Sequence, residues 1–266
     1  MRRAMSFSPN KYKTSFNSMP NKDVLKGDWL PNISVDCVIF GFQENHLKVL
    51  LLKFRNNEIW SLPGGFIGKE EDADEAAKRI LWQRTGLENI YLQQFHTFGD
   101  LKRNIGAIEK HEEINLAMGR SNEDLKWLSH RYITIGYYAL VEYSKVKVTL
   151  NDVSDDSSWM DVDQIPSLFL DHTEIVKTGL THLRSSIDTK LAAFNLLPET
   201  FTMSELQQVY ETILGKELVR TNFQRKMLSL DILERIEKKY SGGAHKAPYL
   251  YRLDKKKAEA FLSSAS

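Results

Sequence analysis

The chain has 266 residues, 42% hydrophobic and 27% charged, enough to bury a substantial core and to divide into two modest domains. It has a single cysteine and no apolar run near the roughly 18 residues a membrane span needs, which argues against a bilayer segment, a disulfide framework and a cysteine-based zinc site. The net charge of +1 is unevenly placed: residues 201–266 carry 12 Lys and Arg against 8 Asp and Glu, and the rest 24 against 27, so the basic excess sits at the C-terminal end.

Residues 1–32, rich in Asn, Ser, Lys and Pro, read as a partly ordered arm. They lack the apolar stretch of a signal peptide, so the cytoplasm is the expected location. Two strands follow, SVDCVIFGF from Ser34 and HLKVLLLKF from His46, joined by a turn at QEN. Cys37 lies inside the first apolar run, where a small buried hydrophobe fits better than a nucleophile. The segment IWSLPGGFI reads as a loop, because Pro63 is followed by two glycines.

From Asp72 to Thr85 the period is helical, with Ala73, Ala76, Ala77, Ile80 and Leu81 on one face and Gly86 where a C′ glycine would end it. Further strands are expected at IYLQQFHTF, RYITIGYYALVEY and KVTLND. Short strands around one internal helix indicate an α+β domain. A long helix from about His172 to Phe194 places Ile175, Val176, Leu180, Leu183 and Ile187 on one side, and Leu197-Pro198 closes the unit.

The C-terminal segment changes rhythm. Thr202 and Glu205 form a T-x-x-E capping box ahead of Leu206, Val209, Tyr210 and Ile213. A turn at Gly215 leads into a second helix, VRTNFQRKMLSLDIL, with Phe223, Met227 and Leu230 inward, and two strands then flank SGGAHK. Helix, turn, helix and basic hairpin is the order of a winged helix-turn-helix. There its second helix must offer donors to bases and phosphates, and Arg220, Thr221, Asn222, Gln224, Arg225 and Lys226 supply them. Lys238, Lys239, His245 and Lys246 surround two hairpin glycines that allow close backbone approach to a duplex. Glu234 and Glu237 interrupt the basic residues, as they would on an ordinary solvated face.

Within GGFIGKEEDADEAAKRILWQRTGL, the residues Gly65, Glu71, Arg79 and Gly86 resemble the Nudix box, G-x5-E-x7-R-E-U-x-E-E-x-G-U, where U is a bulky aliphatic residue. Leu81 and Leu87 match the aliphatic positions and WSLPGG the approach to the box. In that family three glutamates on the box helix hold Mg²⁺, which neutralises a pyrophosphate and activates water. The matching positions here are Ile80, Gln83 and Arg84, spaced i, i+3 and i+4 on one helical face. An amide is a feeble ligand, and a cation about 4 Å from a divalent ion repels it by several kcal/mol. Hydrolysis is therefore expected to be lost, and Arg79 with Glu71 can equally brace the loop-helix-loop.

From about Ser34 onward the chain resembles the Nudix-related transcriptional regulators of bacteria, in VDCVIFGF, the degenerate box, WMDVDQIP and the C-terminal FTMSELQQVYETILGKEL, NFQRKML and SGGAHK. The resemblance implies an α/β/α sandwich with a mixed sheet over residues 33–197, a winged helix over 198–266, and a homodimer binding double-stranded operator DNA under a small effector. Branches of that family sense ADP-ribose or a sugar. The degenerate box is nearer the sugar-sensing branch, so a sugar or sugar derivative is the expected effector and an ADP-ribose-like molecule the alternative. Trp60, Phe66, Glu71, Arg79, Arg84, Phe98 and Tyr137 are its candidate contacts. An insertion at about 101–130 departs from the family, with apolar positions suited to two short helices that could form a lid or a dimer element.

No cofactor or metal site is expected, since His172 and His182 stand ten apart on one helix rather than at i, i+4. Two rival readings are a Mg²⁺-dependent hydrolase of ADP-ribose or a related nucleoside diphosphate with relocated ligands, and a protein-binding adaptor.

Overall fold

The computed structural model describes residues 29–88, 90–103, 109, 112–114, 131–150, 153–238 and 247–264. Most of the arm, most of the insertion and the tip of the C-terminal hairpin, with Lys239, His245 and Lys246, lie outside them.

Strand β1 (Trp29–Gln43) is the trunk of the sheet, and its first four residues belong to the span read as an arm. Along one edge it runs parallel to β6 (Ile133–Val141) from Ile33 to Gly41. Along the other, its first half meets β4 (Gly64–Gly68) and its second half β2 (His46–Phe54), both antiparallel. Strands β3 (Trp60–Ser61) and β7 (Ser154–Asp161) add to β2, and β5 (Tyr91–Phe98) adds to β6. Glu44 and Asn45, with φ of +50° and +64°, make the tight β1–β2 turn, the backbone that a two-residue hairpin of this twist requires.

Both faces of β1 are covered from Val35 to Gly41, which is why that stretch is apolar apart from Asp36. Val35, Cys37 and Ile39 face α1 (Ala73–Thr85) through Ala76, Ala77, Ile80 and Leu81. Val38 and Phe40 face α2 (His172–Ser186) through Ile175, Val176, Leu180 and Leu183. Helix α1 starts at a capping box between Asp72 and Glu75 and ends at Gly86 with φ +69°. Gly136 is needed for another reason: a Cβ there would stand 2.7 Å from Phe95 Cζ and 2.9 Å from Phe98 Cε2.

The second core continues into the C-terminal domain. Phe201, Leu206, Val209, Tyr210, Ile213, Phe223, Met227 and Tyr251 belong to the same cluster as Val38 and Leu183. Helices α3 (Met203–Leu214) and α4 (Arg220–Ser229) precede a hairpin of β9 (Leu233–Lys238) and β10 (Tyr249–Leu253), and β10 also pairs with the short β8 (Phe201–Thr202). This is a winged helix, and its Thr202–Glu205 capping box forms as the spacing predicts.

Three expectations are corrected. The proline-glycine segment is not all loop: β3 and β4 form there, because Gly64–Phe66 pairs with the part of β1 that β2 does not reach. KVTLND is not the next strand. Lys147 and Thr149 donate their backbone N–H to Thr85 and Arg84 carbonyls, closing the end of α1, and the strand is the polar SDDSSWMD of β7. The long helix stops at Ser186 rather than Phe194, and Leu191 takes φ +50° so that Ala192, Ala193 and Leu196 fold back into the core. Beyond the hairpin a further helix, α5 (Lys255–Ser264), buries Ala258 against Leu191 and Ile232.

One charged cluster lies within the fold. Asp36, 6% exposed on β1, accepts from Thr134 Oγ1 at 2.8 Å, and Arg103 Nη2 lies 3.5 Å from the same oxygen. Arg103 also holds Asp171 at 2.6 Å and donates to the Tyr132 carbonyl at 3.1 Å. His172 accepts from the Leu62 N–H through Nδ1 at 2.9 Å, so Nε2 carries the proton and points at Asp36 Oδ1, 3.8 Å away.

Two outcomes follow from this cluster. Arg103→Ala leaves two carboxylates without their cation, and thermal or urea unfolding should show a loss of about 3–5 kcal/mol, with Asp36→Asn in the same chain recovering part of it. Burial lowers the pKa of His172, as does Arg103, against the opposing pull of Asp36 and Asp171. With the native pKa below the unfolded one, this contribution to stability is complete above about pH 6.5 and is lost as pH falls through that value. Melts from pH 7.5 to 5 should therefore fall less steeply in His172→Gln than in the parent chain.

Candidate functional site

The retained box letters form a closed brace. Glu71 accepts from Gly68 N at 2.7 Å and from Arg79 through Nε at 3.0 Å and Nη2 at 2.5 Å. Arg79, 4% exposed, also donates to the Phe66 carbonyl at 2.8 Å and lies under the Trp29 ring at 5.2 Å. The pair ties the turn after β4 to the second turn of α1, and its charge-assisted bonds are sheltered from water. Phe66 itself packs on Tyr132 at 5.7 Å and Trp29 at 6.5 Å.

The positions of the family's metal ligands look different. Ile80 is 2% exposed, with its Cδ1 where it would stand 3.2 Å from a Cβ on Gly65. One turn on, Gln83 and Arg84 are half-buried. Arg84 Nε is sealed from solvent and has no hydrogen-bond partner. Burial, and then the nearby charge of Arg79, lower its pKa to about 10. Among the described residues no group of three His, Cys, Asp or Glu side chains is placed to hold a metal. The donor set on this face, an aliphatic, an amide and a cation, does not fit Mg²⁺.

The other candidate contacts are spread over the domain. Tyr137, on the α1 face of β6, is 1% exposed and donates to Asp74 Oδ1 at 2.6 Å. Burial first and that hydrogen bond second raise its pKa. Trp60 packs against the opposite core, and its carbonyl accepts from Phe169 N at 2.8 Å. Phe98 stacks edge-on with Phe95 and His96. The structure thus gathers Phe66, Glu71 and Arg79, brings the charge of Arg84 close to Arg79, and leaves Trp60, Phe98 and Tyr137 in separate packing environments. The Asp36–Arg103–Asp171–His172 cluster was not foreseen; its one visible signal was an aspartate inside the apolar run VDCVIFGF.

On the winged helix, α4 buries Phe223 and Met227 and leaves Arg220, Thr221, Asn222 and Arg225 exposed, with Gln224 half-buried. Arg225 donates to Asn222 Oδ1 at 3.1 Å. Lys226 points elsewhere, to Asp188 beyond the end of α2 at 2.6 Å. On the hairpin, Arg235 lies 4.4 Å from the Tyr249 ring and Lys238 lies 5.6 Å from it. Arg235 was missed because Glu234 and Glu237 flank it and mask the basic face in sequence.

Helix α2 joins the two regions. Arg184, in its last turn, donates Nε to the Ile213 carbonyl at the end of α3 at 2.7 Å. Thr212 Oγ1 donates to Asn45 O in the β1–β2 turn at 3.2 Å.

Residues 30–178 match the NUDIX domain and residues 193–253 the NrtR DNA-binding winged helix domain. Among curated proteins, the chain is similar to the ADPR responsive transcriptional repressor NtrR of Acinetobacter baylyi, 28% identical over 229 residues, covering 84% of this chain and 82% of that protein. Among solved structures, it is similar to Shewanella oneidensis NrtR complexed with a 27mer DNA, at 26% identity and a TM-score of 0.65, covering 85% of this chain and 95% of that one. A MutT/nudix family protein from Enterococcus faecalis shares the fold at 19% identity and a TM-score of 0.59, over 84% and 86% of the two chains. The chain belongs to the Nudix family, and its Nudix domain is followed by a winged helix of the NrtR DNA-binding type.

Proposed function

We propose that this chain is a ligand-responsive transcriptional regulator that binds operator DNA through its winged helix and an ADP-ribose-like effector through a Nudix domain that does not hydrolyse it. The observation that carries the reading is α4. It is anchored in the core by Phe223 and Met227, it presents Arg220, Thr221, Asn222 and Arg225 outward, and its domain is fastened to α2 by Arg184 and Asp188. Those contacts are the route by which a change in the sensing domain reaches the recognition helix.

The effector assignment departs from the sugar expected of the degenerate box. A relative spanning 84% of the chain is named for ADPR response, which supports a nucleoside diphosphate instead. Loss of hydrolysis is supported by the donor set at Ile80, Gln83 and Arg84 and by the engagement of Glu71 with Arg79 and Gly68. The working unit is a homodimer in the cytoplasm, with two winged helices reading two half-sites. The domain limits we assign are 33–197 and 198–266, and no helix among the described residues is long and apolar enough to cross a membrane.

Fluorescence anisotropy of the full chain on its own upstream DNA tests this reading. Binding should weaken steeply with salt, because neutralised phosphates release counterions, and ADP-ribose should shift the affinity, since the two ligands must be linked reciprocally. Arg220→Ala with Arg225→Ala should cost roughly 10- to 100-fold and flatten the salt slope. Lys226→Ala should cost less affinity and change the response to ADP-ribose more, because its ammonium joins the two domains. Salt-insensitive binding, or Mg²⁺-dependent cleavage of ADP-ribose to AMP and ribose 5-phosphate, would sink the proposal.

A further inference from the structure

We infer that Val219 reads a thymine: its side chain packs on the C5-methyl of a thymine in the operator and so sets part of the sequence the winged helix selects. The inference rests on the reading of α4 as a recognition helix, and it adds an apolar base contact to those of the polar residues.

Val219 is 66% exposed, at the position directly before α4. Lone exposed hydrophobes are common on protein surfaces. This one adjoins Arg220, Thr221 and Asn222, all exposed, at the end of the helix whose first residues meet base edges in a helix-turn-helix. An aliphatic side chain also does nothing for the helix there. Val219 is the N-cap, it makes no side-chain hydrogen bond, and valine ranks far below Ser, Thr, Asp or Asn at that position. Neither burial nor capping accounts for it.

The backbone that carries Val219 is held firmly. Leu218 donates its N–H to Glu211 Oε1 at 2.8 Å, and its carbonyl accepts from Gln207 Nε2 at 2.9 Å. Gln207 also donates to Glu211 at 2.9 Å, so two side chains one turn apart on α3 form a single clamp on the turn between the helices. On the other side, the Val219 carbonyl accepts from the N–H of buried Phe223 at 2.9 Å. A β-branched side chain on so fixed a backbone has little freedom to lose on contact.

The chemistry selects the base. In the major groove every base offers hydrogen-bonding groups, and thymine alone presents a methyl. Valine laid over a polar edge strips its water and returns no bond. Laid over the thymine methyl, it buries apolar surface on both sides. The neighbouring Arg220, Asn222 and Arg225 supply the donors that valine lacks, so the two kinds of contact are complementary rather than competing.

The test is fluorescence anisotropy of the full chain on its own upstream DNA, prepared once with thymine and once with uracil throughout, a base that lacks only the methyl. The parent chain, Val219→Ala and Val219→Ser are titrated on both duplexes, alongside melting curves of each protein. The parent should bind the uracil duplex more weakly than the thymine duplex. Val219→Ala should shrink that ratio at least about fourfold, the burial of one methyl group, and this double difference isolates the valine from any other effect of uracil. Val219→Ser should shrink it likewise while melting no lower than the parent, since serine is the better cap. The same thymine-to-uracil ratio in the parent and Val219→Ala overturns the inference and leaves the regulator reading intact. Lowered melting temperatures in both variants, with affinity lost alike on both duplexes, overturn it in favour of a structural role. A parent chain with no salt-dependent binding to either duplex overturns the inference and the regulator reading together.

Discussion

Helix α2 has to serve two cores at once, and the rest of the molecule is arranged around that requirement. Its Ile175, Val176, Leu180 and Leu183 cover the sheet, each fully buried aliphatic side chain contributing about 1.5–3 kcal/mol. Its C-terminal end reaches the winged helix through Arg184 on the Ile213 carbonyl, and just beyond it Asp188 meets Lys226. Its N-terminal end is gripped by Arg103 on Asp171 and by His172 between Leu62 and Asp36. A helix pinned at both ends and packed along its length cannot bend cheaply. It transmits displacement as a rigid rod.

The box around α1 shows which of its letters the fold itself needs. Gly68, Glu71 and Arg79 hold the turn after β4 against the helix by hydrogen bonds that owe nothing to a metal. Breaking that pair would leave a buried charge uncompensated, so it remains necessary whether or not catalysis does. The next turn of the helix serves packing instead: Ile80 fills space beneath Gly65 in the core, and Arg84 follows it half-buried.

Much of this was legible in sequence wherever a pattern is local. The capping box Thr202–Glu205, the helix-ending Gly86, the turn at Gly215, and the apolar faces of α1, α3 and α4 all depend on short local spacings. The errors lie where a distant segment decides. Gly64–Gly68 becomes a strand only because β1 outruns β2, and SDDSSWMD becomes one although it lacks apolar alternation, because β2 offers it a partner edge. Helix α2 stops at Ser186 because Ala192, Ala193 and Leu196 are needed in the core, which no helical period in that stretch announces. The candidate site followed the same division: the brace was visible in the box spacing, whereas Arg103 and Asp171 meet across 68 residues and leave no local trace.

That long-range cluster also bears on how a signal could pass. Arg103 lies near the start of the insertion, and its guanidinium touches β1 through Asp36, the approach to β6 through Tyr132, and the start of α2 through Asp171. A change in the insertion that displaced Arg103 would release Asp171 from its cation and loosen the N-terminal grip on α2. The other end of the same rod holds Ile213 and Lys226, so the displacement would arrive at α3 and α4 together. Asp188 makes this end responsive, since its bond to Lys226 joins exposed groups worth only about 0.2–1 kcal/mol in water. Helix α2 thus has a buried, charge-paired clamp at its N-terminal end and, just beyond its C-terminal end, an exposed ion pair.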